Sequence, residues 1–427
     1  MTGNLPADVT VWVHHTAECK RVEFKARNGT QPFRATLTRQ RALDEVREAL
    51  DVGLLRLKEI LPPLVDSDSK VVGPDSESDR LNRAFDALYR LGCRLFFILF
   101  GSQEDVINGL EDFWNDALPF GRNPRLPPPL VECIGDKDAF LPLEYLPLFS
   151  MTPPSVITCR DDFVKACRSL VGFSCMVRRA MLPAPQRGGI ELQSTSDDLL
   201  PMRYLYFEHL KGAQEELKWL SSAAAHRVQI EGPYPNSAGG VPSLSLQIFD
   251  PTLLLTGNHR NLPDQIQHFA CHCYTAMTSP LDNEIQLSGG GHELQLTLGT
   301  ISEDLVALGA RAKRNFELPL VVMNACGSAR MQSASALSFP DLFLQNGNRG
   351  FVGSDIEVPD DVAAAFSKAL YERFLLYRLP LGRSLLGARD HLLNRFGNPL
   401  GIVYSSYADP QLHVRPFIEE ESHGAAD

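Results

Sequence analysis

The chain has 427 residues, of which 44% are hydrophobic and 22% charged, and a formal net charge of −11. That is enough chain for two or three domains of ordinary globular composition. The acidic balance argues against a broad surface for nucleic acid or anionic lipid, since both recruit clustered Lys and Arg. Residues 1–8 carry neither the basic segment nor the apolar core of a secretion signal. The longest apolar run, near Leu95–Phe100, is too short to span a bilayer. Nine cysteines, several in apolar contexts (Cys93, Cys159, Cys167, Cys175), suit a reducing compartment better than a disulfide framework. The expectation is a cytoplasmic protein with no membrane association and no direct nucleic-acid partner.

Val9–Val13 alternates and is β-branched, so it reads as a strand, with Val22–Ala26 as its partner across a turn. Arg39–Leu61 has helical spacing, with Leu43, Val46, Leu50 and Leu54 on one side. Asp66–Asp79 is polar and rich in breakers, which predicts an exposed loop. Helical patterns resume at Arg80–Leu91 and again from Ser102, where Asp105 completes a capping-box-like pair. Five prolines in Pro119–Pro129 suggest a boundary, with an α+β region over 1–124 and a larger domain over 125–417. In that domain Leu130–Ile134 is a strand and Phe140–Leu146 a buried connection. Strands or strand–helix joins follow at Pro201–Leu210 and Arg227–Ile230, with a helix at Gly212–Ala224. Ile266–Ala270 is a strand, Ile285–Leu287 and Leu294–Leu298 are hairpin arms, Ser302–Arg314 a helix and Leu320–Met323 a strand. A short helix at Pro340–Gln345, a turn at Asn346–Gly350 and a strand at Phe351–Gly353 come next. Helices at Asp361–Leu376 and Gly382–Phe396 and a strand at Leu400–Tyr404 complete the domain, and 418–427 reads as a disordered tail. Alternating strands and helices predict an α/β fold, a mostly parallel sheet covered by helices on both faces.

Two of these strands stop at reactive side chains. Gln267–Cys273 runs into His272, and Leu320–Ser328 runs into Cys326. Parallel neighbours joined by a crossover place their carboxyl ends side by side. A histidine at one end and a cysteine at the next can then share a cleft, as a cysteine nucleophile and its base require. A free thiol is only a few per cent thiolate at neutral pH, and an imidazole raises that share and later protonates the leaving amine. Gly327-Ser328 after the cysteine implies a sharp turn with free backbone N–H groups. The N–H groups of Cys273 and Cys326 are candidate oxyanion donors. Taken singly, a cysteine at the end of an apolar strand is most often a buried structural thiol. Zinc binding by Cys271-His272-Cys273 is the third alternative. Successive residues of a strand end point to opposite faces, which sets His272 away from both cysteines, and metal sites usually need a second pair elsewhere. No metal and no cofactor is expected.

Ile266–Cys273, Val321–Ser328 and Phe351–Phe366 resemble, in order, the histidine block, the cysteine block and the following block of CHAT-domain proteins. These are caspase-like peptidases of the clan of separase, metacaspases, clostripain and gingipains. Phe140–Leu146, Ser384–Arg389 and Ile402–Pro410, with Tyr404 and Asp409-Pro410, are similar to further family segments. The resemblance covers roughly 126–414 well and the first hundred residues weakly. It implies a caspase-like fold, His272 as general acid/base, Cys326 as nucleophile, and peptide hydrolysis through an acyl-enzyme. It implies that Asn324 lines the pocket for the residue before the scissile bond. It implies a protein substrate, a regulated prokaryotic defence or signalling role, and an activating protein partner encoded nearby, because no tetratricopeptide array accompanies the domain.

This chain departs from the family pattern at Cys273, where glycine is usual, and at Ile356, where tryptophan is common. The first departure motivates the alternative of a catalytically silent scaffold that binds a partner. Asp355, Glu357, Asp360 and Asp361 form an acidic cluster. In separase-like relatives acidic residues near here help select a basic residue, which makes Asp355, Glu357 and Asp360 substrate-binding candidates. Asp360 and Asp361 serve equally well as first-turn charges of the following helix.

Overall fold

The computed structural model describes residues 6–15, 20–37, 42–64, 76–118, 127–136, 141–148, 156–182, 189–235, 262–274, 276, 279–289, 291–309, 318–325, 328 and 338–416. Of the loop read at 66–79, residues 66–75 lie outside these, whereas Ser76 caps a helix that already includes 77–79; the 418–427 tail lies outside.

Two sheets organise the molecule. The first has the order β3-β2-β1-β4-β5. It is built from β1 (Val9–His15), β2 (Lys20–Ala26), β3 (Phe33–Thr36), β4 (Leu130–Asp136) and β5 (Met176–Leu182). Val9, Val11 and Val13 alternate toward the core and are buried. β1 is antiparallel to β2 and parallel to β4, with Val9 opposite both Ala26 and Val131. This sheet therefore takes strands from both sides of the boundary read at 124/125. Three helices accompany it in the chain: α1 (Ala42–Ile60), α2 (Glu77–Phe100) and α3 (Glu104–Ala117). Phe24 of β2 meets Phe100 of α2 and Phe113 and Trp114 of α3 in edge and tilted ring contacts. The helix expected from Ser102 begins at Glu104 instead, with Gln103 at its cap and no side-chain cap bond.

The second sheet has the order β15-β14-β13-β9-β7-β8. Its strands are β7 (Leu200–Tyr206), β8 (Val228–Tyr234), β9 (Ile266–Ala270), β13 (Leu318–Met323), β14 (Asn348–Ser354) and β15 (Tyr404–Ser406). All neighbours pair in parallel except the edge strand β15, which is antiparallel to β14. β9 and β13 are buried along their whole length, as strands covered on both faces should be. On one face Phe269 meets Phe343 of helix α7 (Phe339–Gln345), which stacks on Phe351. On the other, His268 meets Tyr371 of helix α8 (Asp360–Tyr371), which packs on α5 (Lys211–Leu220). The α/β architecture read from the sequence, a mostly parallel sheet with helices on both faces, is the one observed.

Between β9 and β13 the chain forms a small antiparallel sheet, β10 (His272–Tyr274), β11 (Glu284–Gly289) and β12 (His292–Thr297), then helix α6 (Leu298–Gly309). The hairpin arms fall where they were read, and the crossover is longer than one helix. After α9 (Leu381–Phe396), the strand expected at Leu400–Tyr404 is a 3₁₀ turn, Pro399–Val403, opened by Asn398 accepting from Leu400 N–H, and β15 starts only at Tyr404. Helix α4 (Arg160–Cys167) and a two-stranded pair, β6 (Glu191–Gln193) with β16 (His413–Arg415), had no clear sequence signal. Cys159, read as apolar, is exposed, whereas Cys167 and Cys175 are buried. Among the described residues no helix is long and apolar enough to cross a membrane.

Candidate active site

β9 ends at Ala270, and two residues later His272 opens β10. Pairing with β11, His272 opposite Gln286 and Cys273 opposite Ile285, fixes its backbone. The imidazole is half-buried. Its ring meets the Phe207 ring edge-on, with centroids 4.8 Å apart. Phe207 is itself pinned at the end of β7, its N–H donating to Ala270 O at 2.9 Å. The aromatic wall limits how the imidazole can turn while leaving one side open.

β13 lies beside β9 with Met323 opposite Phe269. Asn324 N–H donates to Phe269 O at 2.8 Å and carries the ladder one residue further. Beyond it, Ser328 N–H donates to Ala325 O at 3.2 Å. Ser328 Oγ donates to Met323 O at 2.8 Å, and Ser354 N–H donates to Ser328 Oγ at 3.1 Å. Ser354 Oγ lies 2.9 Å from Ala325 O. Ala325 and Ser328 are thus both tied to Ser354 at the end of β14. Cys326 lies outside the described residues.

Asn324 is buried. Its amide donates to Glu216 Oε1 at 2.5 Å and to Ala363 O at 3.1 Å, and Tyr404 Oη donates to its carbonyl at 2.6 Å. Glu216 Oε2 lies 2.8 Å from His268 Nε2, whose Nδ1 lies 2.8 Å from Tyr371 Oη. His268 and Glu216 are 0% and 2% exposed. Sequence reasoning missed this network. The one available signal was a histidine inside an apolar strand, which must find polar partners when buried.

The four acidic residues do not converge. Asp355 is buried and faces Arg179 of β5, which also donates to Glu144 at 2.7 Å. Burial pushes the Asp355 carboxyl up, to about 6, against the pull of the Arg179 guanidinium. Asp360 accepts from Gly212 N–H at 2.7 Å, and Asp361 accepts from Leu64 N–H. Glu357 is exposed beside Lys58, 3.4 Å away. Asp360 and Asp361 both stand in the first turn of α8, as the helix-charge alternative has them, and Asp360 in addition caps an N–H of α5. Among the described residues no group of three or more His, Cys, Asp or Glu is arranged to hold a metal ion.

Residues 170–396, more than half of the chain, match the model of the CHAT domain. The chain belongs to the CHAT-domain family. A probable protease of Vitiosangium sp. (strain GDMCC 1.1324) is 32% identical over 97 residues, a stretch that spans 22% of this chain and 13% of that protein. Gingipain R (RgpB) of Porphyromonas gingivalis, an Arg-specific cysteine proteinase, superposes with a TM-score of 0.42 at 11% identity, covering 74% of this chain and 70% of that one. Separase of Saccharomyces cerevisiae, in its complex with securin, gives 0.43 at 11% identity, covering 96% of this chain and 30% of that one. The CHAT-domain match takes in every candidate site residue and the whole second sheet except β15. Four of the five strands of the first sheet precede it.

Proposed function

We propose that this CHAT-domain chain is a cysteine endopeptidase that cleaves a protein partner, with Cys326 as nucleophile and His272 as general acid/base. The observation that carries the reading is the pairing of β9 with β13. It sets Met323 opposite Phe269, so the two parallel strands run out side by side, three residues before Cys326 in the one and three before His272 in the other. In the reaction, His272 takes the thiol proton and the sulfur attacks the peptide carbonyl. The amine leaves with the proton from the imidazolium, and a thioester remains. Water, deprotonated by His272, then releases the acid and restores the thiol. The N–H groups of Cys273 and Cys326 are the proposed donors to the oxyanion, each worth about 3 kcal/mol if lost. The family setting supports a regulated cytoplasmic defence or signalling role with an activating protein partner.

Cys273 favours a second reading, a silent scaffold, because a buried side chain stands where the family has glycine. One experiment separates the two. Cys326→Ala should abolish cleavage by the activated protein and leave the thermal transition in place, and retained cleavage rejects the assignment. In the wild type, a peptidyl electrophile should modify Cys326 well ahead of the exposed Cys159. Labelling of Cys326 no faster than Cys159, with no cleavage, establishes the scaffold.

A further inference from the structure

We infer that Glu216 is a positioning residue that locks the carboxyl ends of β9 and β13 to each other, an inference that rests on the cysteine-peptidase reading. One carboxylate addresses both strands. Its Oε2 lies 2.8 Å from His268 Nε2, and its Oε1 accepts from Asn324 at 2.5 Å. His268 stands four residues before His272, and Asn324 two before Cys326. Neither carboxylate oxygen has water to fall back on, because the residue is 2% exposed. A buried acceptor shared by two donors is held by geometry, since losing either partner leaves a desolvated polar group.

The surroundings fix Glu216 in turn. It projects from α5, whose Gly212 N–H donates to Asp360 of α8 at 2.7 Å. Tyr204 of β7 stacks on His268 with ring centroids 5.0 Å apart and donates to Ala213 O of α5 at 2.7 Å. Tyr371 holds the far nitrogen of His268, and Tyr404 holds the carbonyl of Asn324 while its ring stacks on Phe366 at 3.6 Å. The titratable groups facing Glu216 are thus His268, Tyr371 and Tyr204, all buried. Among the described residues His268 and Asn324 bond the carboxylate, Tyr204 and Tyr371 brace His268, Tyr404 braces Asn324, and all five are buried. Nucleophile–base distance tolerates little slack, since a misplacement of about 1 Å can cost roughly a hundredfold.

The test uses the full chain and iodoacetamide, so no substrate is needed. Alkylation of Cys326 is followed by mass spectrometry from pH 5 to 9, with Cys159 as internal control. In the wild type the Cys326 profile should lie below that of an ordinary thiol, and His272→Ala should move it up to one. Glu216→Met keeps the volume and removes both acceptors. It should move the profile toward that of His272→Ala and slow alkylation at pH 7 about tenfold, one unit of thiol pKa. Glu216→Gln should restore most of the rate, because the amide can accept from Asn324 and donate to His268 once that ring changes tautomer. Tyr404→Phe deletes one hydroxyl and should move the profile in the same direction, which keeps the inference testable if Glu216→Met does not fold. Wild-type profiles in Tyr404→Phe and in folded Glu216→Met, with His272→Ala shifted, overturn the positioning role alone. An unshifted profile in His272→Ala overturns the dyad beneath it.

Discussion

Asp355 carries the charge this core holds least comfortably. One guanidinium, Arg179, stands between two buried carboxylates, Asp355 and Glu144, and Ser405 adds a hydroxyl donor to Asp355 at 2.8 Å. Burial raises Asp355 to about 6 from an ordinary value near 4, against the pull of Arg179, and the Glu144 carboxylate pushes the same way as burial. The sign follows from proton counting. Between pH 4 and 6 the folded state holds a proton that the unfolded state has released. This group's contribution is therefore complete below the unfolded pKa and is lost as pH rises through the folded one. The loss amounts to roughly 3 kcal/mol over that window. Asp355→Asn, which cannot ionise, should remove that slope. Urea unfolding at pH 4, 5, 6 and 7 checks it. The wild type should fall relative to the variant up to about pH 6 and then level off, and a difference that ignores pH rejects the account. The thiols give the opposite contrast. Burial pushes Cys133 up to about 12 and Cys93 to about 11, so neither should compete for an electrophile at neutral pH.

Helices α5 and α8 meet at Gly212 and Asp360, where two chain segments nearly touch. A Cβ on Gly212 would stand 2.3 Å from Asp360 Oδ1 and 2.5 Å from its carbonyl oxygen. Glycine lets Asp360 approach and satisfy an N–H in the first turn of α5 that has no partner within its own helix. Gly212→Ala should cost about 1–3 kcal/mol, since backbone and not a flexible side-chain end must give way. It should also loosen the 355–361 loop and the seat of Glu216 together. A chemical denaturation curve unchanged to within 0.5 kcal/mol, on the scale of an ordinary surface substitution, would refute this. The same contact shows what a sequence can and cannot disclose. Ile266–Ala270 and Leu320–Met323 were legible because strands covered on both faces must be apolar throughout. β5 was not, because Arg178 and Arg179 interrupt it and imitate a surface, whereas both are buried in ion pairs with Glu132, Asp409, Glu144 and Asp355. His272 could be singled out by its place at a strand end. Glu216 could not, because its partners His268 and Asn324 lie 52 and 108 residues away, and nothing local marks a glutamate on an amphipathic helix as buried.

Across the whole molecule, the proline-rich stretch at 119–129 invites division into two domains, yet the contacts run through it. β1 is an interior strand, paired with β2 on one side and β4 on the other, so the first sheet cannot close without residues from both sides. Helix α2 is tied to the later chain as firmly. Asn82 exchanges hydrogen bonds with Ile157 N–H and C=O, and Arg160 bonds Glu77 and the carbonyl of Arg395 at 2.7 Å. Gly92 lies so close to Tyr145 that a Cβ would stand 2.4 Å from its carbonyl oxygen. The first sheet reaches the second through Arg179 of β5, which grips Asp355 at the end of β14 and Tyr407 just beyond β15. Removing residues 1–124 would strip β4 of β1, one of its two neighbours, and uncover Tyr145, Leu146 and Leu148, now buried. An unpaired β4 edge beside newly exposed apolar side chains is a template for aggregation. The fragment 125–427 should therefore be insoluble or unfold without cooperativity. Adding 1–124 as a separate chain should recover a soluble complex, because the missing β1 pairing and helical cover are non-covalent. Circular dichroism melts and size-exclusion profiles of the fragment, alone and with its complement, decide the matter. A sharp transition and a monodisperse peak for the fragment alone would show that the second sheet carries its own core, and that the boundary at 124 is a real one.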